Sequence, residues 1–383
     1  MKLMTGGLLD AGHMKAIQSK LVYAHVLSIR PSALLGATSM PRNLFKLSAF
    51  ALALGFSAVA QAAPHGEVAA REMVHVATAF KGRMAGTAQE KAVADYLAGK
   101  FRAMGYQVVE QPFTSSFEYE KADKQKEKRE VKSLNVIATK PGKDDKVVIV
   151  GAHFDSRTPK KDGDIGKIGG AGLEGLDDNA SGVGMLLELA DQLKSVKTKH
   201  TIKFVGFGAE ELGLLGAKDY VARMTDTERG NLVAMVNMDS LITGDKMYFH
   251  AGKNTVAKDA KAGHARDRAL AIAKKLGVQA STNPGLNKEY PKGTGCCSDQ
   301  EVFDEAGVPV LAVEATNWEI GDKDGYEQTT NKAIKDGMSW HRPDVDNVAN
   351  LKRVFPNRVE QRARDFSRVL TPLVIELAGG KAK

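Results

Sequence analysis

The sequence predicts an α/β protein, a three-layer α/β/α sandwich around a central sheet that is mostly parallel but mixed. Three observations predict it. Short apolar runs recur at residues 134–139, 146–152, 201–208, 232–238 and 308–313, each the length of a buried strand. Segments with apolar residues at helical spacing stand between them, and strands alternating with helices argue a sheet covered on both faces. Finally, His153, Asp155, Glu210, Glu211 and Asp239 stand at or just past the ends of such runs, where an open α/β sheet presents its ligands.

The elements follow in order. Residues 67–80 carry Val68, Met73, Val76, Ala77 and Phe80 on one helical face. A loop through Arg83 and Gly86 leads to Thr87, which with Glu90 three residues on has a capping-box pattern. Val93, Tyr96, Leu97, Phe101 and Met104 form the inner stripe of that helix, and Gly105 stops it. Residues 106–113 alternate like a strand. Residues 119–132 are almost wholly charged, the composition of a solvated face or hairpin tip. Strands at 134–139 and 146–152 flank the turn at Pro141 and Gly142. Residues 156–176 form a long Gly- and Lys-rich loop, the kind of segment that is commonly functional. Helices are expected at 181–193, 212–224, 266–276, 298–306 and 359–377, and a short strand at 246–250. No internal repeat or Pro-rich linker divides residues 63–383, which read as one domain.

Composition narrows the function. The net charge of +8 falls to +3 once residues 1–62 are set aside, so the charge names no nucleic-acid partner. No G-x-x-x-x-G-K-[ST] is present, so a phosphate cradle is not supported. The front end carries a short basic region from Met40 to Lys46, an apolar run from Leu47 to Val59 and Ala60-Gln61-Ala62, the pattern of a secretory signal peptide cleaved after Ala62. The apolar run is shorter than the ~20 residues of a membrane span. Residues 1–62 are therefore expected to be an N-terminal extension and leader with a more natural start at Met40, residues 1–39 reflecting either a mis-assigned initiation site or an extension with no fold of its own, and the mature chain is expected to be periplasmic or secreted. Cys296 and Cys297, the two cysteines, are adjacent; they form a tight turn with either a strained disulfide or an open pair.

His153 and Asp155 share a face of a strand end, so one can ligate a metal while the other orients the imidazole. Asp178 precedes a helix as an N-cap would, but the small residues after it let backbone approach whatever the carboxylate holds. Glu210 and Glu211 point in different directions, one toward a metal and one toward a proton in transit, unless they are simply an acidic first helical turn. Asp239 ends an apolar strand, and His341 lies in a polar loop with Asp344 and Asp346.

The order His-x-Asp, Asp-x-x-Ser-Gly, Glu-Glu, Asp and a late His resembles the zinc peptidases of family M28. That resemblance implies the zinc-peptidase (phosphorylase/hydrolase-like) fold and a site of two Zn2+. In it Asp178 bridges the ions, His153 and Asp239 complete one, and Glu211 and His341 complete the other. Glu210 is implied as the general base acting on a metal-bound water, with Asp155 supporting His153. Residues 283–297, 313–318 and 324–326 resemble a periplasmic aminopeptidase branch of the family from enteric bacteria. This implies removal of a basic first residue from a peptide or protein amino terminus, exported alkaline phosphatase among the substrates. Glu314, Glu319, Asp322 and Asp324 are candidates for the acidic pocket that such a residue requires. Two positions depart from the family pattern. Gln300 stands where a histidine is common, and Gly295 where related enzymes often have a tyrosine, leaving Tyr290 as a candidate to hold the oxyanion. Rival readings on the same fold are a one-zinc glutaminyl cyclase and an inactive binding protein; a carboxypeptidase would need a basic group that Arg83, Arg157 and Arg342 do not evidently form.

Overall fold

The computed structural model describes residues 63–320 and 327–381. The leader reading of residues 1–62, the candidates Asp322 and Asp324, and the stretch 324–326 lie outside them.

In chain order the elements are α1 (Glu67–Ala79), α2 (Ala88–Ala103), β1 (Gln107–Glu120), β2 (Lys126–Lys140), β3 (Val147–His153), α3 (Ser181–Leu193), β4 (Thr201–Phe207), α4 (Leu215–Ala222), α5 (Asp226–Gly230), β5 (Leu232–Met238), β6 (Lys246–Ala251), α6 (Lys253–Lys258), α7 (His264–Leu276), α8 (Gln300–Glu305), β7 (Val310–Thr316), α9 (Val348–Val354) and α10 (Arg358–Leu377). The strands form one sheet in the order β1-β2-β4-β3-β5-β7-β6. Neighbours among β4, β3, β5 and β7 are parallel, while β1, β2 and β6 are antiparallel to their neighbours. The sheet is thus mixed with a parallel centre, as the periodicity predicts.

Side chains alternate between two apolar layers because successive strand residues face opposite sides. Val148, Val150, Ala234, Val236, Leu311 and Val313 pack with α1, α2, α3, α7 and α10, and Ile149, Met235 and Val310 pack with Tyr220 of α4 and Phe303 of α8. The four parallel strands therefore end together at one edge, which carries His153, the loop to Glu210, Asp239 and Glu314.

Several local expectations change. The hairpin β1–β2 runs through the charged stretch to a tip near Lys121–Gln125, far longer than the strands expected at 106–113 and 134–139. Cross-strand partners explain it: Lys126 Nζ lies 2.9 Å from Glu118 Oε2, and the Arg129 guanidinium sits 3.4 Å from the Tyr119 ring centre. The helix expected from Leu212 begins at Leu215, after a 3-10 turn at Glu210–Leu212 entered through a left-handed Ala209 (φ 52°). The box at α2 is half formed. Thr87 Oγ1 accepts the Glu90 N–H, but the Glu90 carboxylate turns inward instead of back to Thr87. Cys296 and Cys297 are joined as a disulfide. The turns α5, α6 and α9 are too short for apolar periodicity to reveal.

Candidate metal centre

Six acidic or imidazole side chains from five separate segments meet at the carboxyl edge of the parallel strands. His153 ends β3 and is fully buried. Its Nε2 lies 3.2 Å from Asp178 Oδ1 and 3.4 Å from Asp239 Oδ2. His341 Nε2 lies 3.2 Å from Asp178 Oδ2 and 3.2 Å from Glu211 Oε2. Two groups result, His153–Asp178–Asp239 and Asp178–Glu211–His341, and Asp178 gives one oxygen to each. Glu210 belongs to neither; its Oε2 stands 4.0 Å from His153 Nε2.

These spacings suit a cation better than a set of ion pairs. Zinc bonds of ~2.0–2.1 Å in a tetrahedron put neighbouring donors roughly 3.3 Å apart. Each group offers nitrogen and carboxylate oxygen, the donors zinc takes, and three protein donors leave a fourth position open.

The backbone around the donors is held from below by carboxylates. Asp155 accepts the N–H groups of Glu210 (3.0 Å) and Glu211 (3.2 Å). Its distance to His153 Nδ1 is 3.5 Å, so its hydrogen bonds go to the Glu210–Glu211 turn and its action on the imidazole is through charge. Glu90 adds a third grip, accepting the Ala209 N–H at 3.2 Å, the Ser133 hydroxyl at 2.6 Å and the Gly86 N–H at 2.6 Å. Asp346 accepts the N–H groups of Asp177 (2.7 Å) and Asp178 (3.1 Å), which fixes the turn before α3. Asp178 thus does not cap α3. Asp177 in turn accepts from Ile242 N, Gln328 Nε2 and Ser339 Oγ, tying the segments after β5 and before His341 together. Arg83, wholly buried, donates to the carbonyls of Phe154, Glu174 and Gly175 and places a positive charge behind the acidic cluster. It cannot receive a substrate carboxylate. Arg342 lies near Asp336 and Asp344, so the three arginines form no common anion site.

Charge and burial shift the donors strongly. Burial disfavours the Asp178 carboxylate, but the hydrogen bonds of His153 and His341 outweigh it and hold the group far below the usual carboxylate range. Burial opposes the His341 imidazolium, yet Glu211 and Asp178 push it up to about 10. Burial raises Glu210 well above its ordinary value; His153 opposes this, and Glu211, Asp299 and Asp239 add to it. A carboxyl poised in this way can take up and return a proton.

The cluster opens into a cavity of about 260 Å³. Its wall includes Glu314, Trp318, the Cys296–Cys297 pair, Arg157 and Lys160. Glu314 Oε1 accepts from Trp318 Nε1 at 2.6 Å and faces His250 Nε2 at 2.9 Å. His250 Nδ1 accepts the Asn283 N–H, so Nε2 carries the proton and donates to Glu314. Glu319, by contrast, is exposed and paired with Lys246. Tyr290 packs edge-on against Trp318 at 5.8 Å and is not part of the cavity wall.

Every residue singled out from the sequence as a donor or base lies in this cluster. Glu90, Arg83, Asp177 and Asp346, which position it, were not singled out. Glu90 reads from the sequence as a capping-box residue, Arg83 as a loop arginine and Asp346 as part of the His341 loop; none of these signals expresses a positioning role. Asp299, next to Gln300, carries no signal of its own in the sequence. It is also buried, with neither carboxylate oxygen hydrogen-bonded, and burial pushes it up to about 8.

Comparison with known proteins gives concordant results. The sequence profile of peptidase family M28 matches residues 135–367. The chain is 46% identical over 334 residues to the alkaline phosphatase isozyme conversion protein of Escherichia coli K12, covering 86% of this chain and 96% of that protein. A solved zinc aminopeptidase from Bacillus subtilis superposes with a TM-score of 0.61 at 18% identity, over 84% of this chain and 97% of its own. A glutaminyl cyclase from Fimbriiglobus ruber superposes with a TM-score of 0.57 at 17% identity, over 81% and 94%. At such identities the two structures speak for the fold alone.

Proposed function

Because the chain belongs to peptidase family M28 and is a metallo-aminopeptidase of it, we propose that it binds two zinc ions and removes the first residue of peptides and proteins, with a preference for Arg or Lys. The observation that carries this reading is the pair of donor groups sharing Asp178, each spaced for one tetrahedral ion. His153 and Asp239 would hold one ion and Glu211 and His341 the other, with Asp178 offering one oxygen to each.

Two zinc ions, when bound, lower the pKa of a water and polarise the scissile carbonyl. Glu210 accepts the proton of the attacking water and delivers it to the leaving amine. Asp155 and Glu90 hold the turn that aims Glu210 and Glu211. Glu314 faces the side chain of the first residue. It is the acidic group in the cavity wall outside the donor cluster, and its Oε2 makes no hydrogen bond among the described residues. The similar E. coli protein carries alkaline phosphatase in its name, which supports an exported phosphatase as one substrate. The leader pattern at 40–62 supports export, with a mature amino terminus at Ala63.

A one-zinc glutaminyl cyclase shares the fold, but the second donor group with Glu211 and His341 favours the two-ion hydrolase, as the full donor set disfavours an inactive binding protein. The test combines zinc content with assays on arginyl, lysyl, leucyl and amino-terminal glutaminyl substrates, with and without chelator. Two zincs per chain and chelator-sensitive release of the first residue are expected. One zinc with cyclisation of glutamine would reject the proposal.

A further inference from the structure

The cavity has a second charged wall that the reaction as described does not use. Arg157 and Lys160 lie on the loop after β3 and both border the cavity. Arg157 Nη1 is engaged, donating to Glu211 Oε2 at 3.1 Å. Lys160 is half-buried, and among the described residues no carboxylate lies within ion-pair distance of its ammonium. Its backbone is pinned on both sides. Its N–H donates to Asp164 Oδ2 at 3.2 Å, and its carbonyl accepts the Glu120 N–H at 2.9 Å. Burial, followed by the charge of Arg157, depresses its pKa. A half-buried ammonium beside a guanidinium, in a pocket wall, is an arrangement that a bound anion would stabilise.

Its position relative to the reaction follows from the neighbours. Arg157 ties this loop to Glu211 of the Asp178–Glu211–His341 group, and Glu210 and Glu211 line the same cavity. Glu314 stands next to the His153–Asp178–Asp239 group, since the Asp239 N–H donates to the Val313 carbonyl just before it. Glu210, which returns a proton to the leaving amine in the proposed reaction, shares a 3-10 turn with Glu211, the residue that Arg157 holds, so the Arg157–Lys160 loop borders the segment that handles the leaving group. The acidic part of the cavity wall thus neighbours the His153–Asp178–Asp239 group and the basic part the Asp178–Glu211–His341 group.

We propose that Lys160, with Arg157 beside it, binds a carboxylate on the leaving residue, so that the enzyme favours substrates with a negative charge directly after the scissile bond. The carboxylate is either the free terminus of a dipeptide or the side chain of an acidic second residue. The inference rests on the aminopeptidase reading and goes beyond it by naming the second residue.

The test keeps the first residue constant as arginine and compares two pairs of substrates. Arg-Gly against Arg-Gly-amide isolates the terminal carboxylate, and Arg-Asp-amide against Arg-Asn-amide isolates the side chain. In the zinc-loaded wild-type protein, at least one pair should favour its charged member about tenfold or more in kcat/KM, mainly through KM. The pair that does so identifies the source of the carboxylate. In Lys160→Met that ratio should fall toward one, with zinc content unchanged. Equal kcat/KM within both pairs, or a ratio that survives Lys160→Met, overturns the proposal. Failure of the parent reading looks different, because none of the four substrates would then be cleaved.

Discussion

At the residue scale, the roles proposed for Glu210 and Glu314 separate by what each can change. Glu210 lies outside both donor groups, so replacing its carboxylate should spare the metals. Glu210→Gln is expected to keep its zinc and lose roughly 10²–10⁴-fold in kcat on an arginyl amide. Metal analysis and turnover on the same sample check this, and an unimpaired kcat would remove Glu210 from proton transfer. Glu314, proposed to face the first residue, has its hydrogen bonds with His250 and Trp318, which belong to neither donor group. Glu314→Gln should lower kcat/KM about tenfold or more for arginyl substrates relative to leucyl ones, since a charge pair in a half-buried pocket contributes roughly 1.5–3 kcal/mol. An unchanged arginyl-to-leucyl ratio would show that the basic side chain is read elsewhere.

At the scale of elements, the site depends on a short turn held by buried carboxylates. Three consecutive N–H groups, Ala209 to Glu211, are received by Glu90 and Asp155. Burial, reinforced by Asp155, pushes Glu90 up to about 8, even though three donors favour its ionised form. The folded value lies above the unfolded ~4.3. The folded state therefore binds the extra proton, and the stability Glu90 contributes is complete below pH ~4 and lost as pH rises through about 8. In chelated protein the melting temperature should fall between pH 5 and 9. Glu90→Gln should remove part of that slope, which scanning fluorimetry across pH would measure. Helix packing sets another limit. A methyl on Gly184 of α3 would sit 2.5 Å from Met73 Cγ and 2.7 Å from the Ala69 carbonyl of α1. Gly184→Ala gains about 1 kcal/mol of helix propensity but should still destabilise by ~1–3 kcal/mol in urea unfolding, because two helix backbones meet there.

At the scale of the whole molecule, the parallel order β4-β3-β5-β7 brings distant residues to one edge, and α3, α10 and α4 close the layers around it. The donor groups join segments from 153 to 341, so metals bound there would tie those segments into the folded state. Chelation should lower the melting temperature and zinc should restore it. The gain should grow with pH, because His341, held near 10 without a metal charge, must lose its proton to bind one. A zinc-dependent shift of the same size at pH 6 and pH 8.5 would contradict this linkage.

The sequence by itself determined the layer architecture and the chain positions of the acidic and imidazole groups, because both are local signals. An apolar run marks a buried strand, and a polar residue where it stops marks the sheet edge. Tertiary structure alone decided which groups meet. Asp178 lies between two imidazoles 188 positions apart, and no periodicity expresses that. The length of the charged hairpin depended on cross-strand partners, and the inward turn of Glu90 on a backbone 119 residues away. Arg83 looked like any loop arginine until three carbonyls from the segments after β3 enclosed it. The physical reason is the same in each case. Burying a charge is tolerated only when partners from elsewhere in the chain satisfy it, and those partners become neighbours only when the layers close.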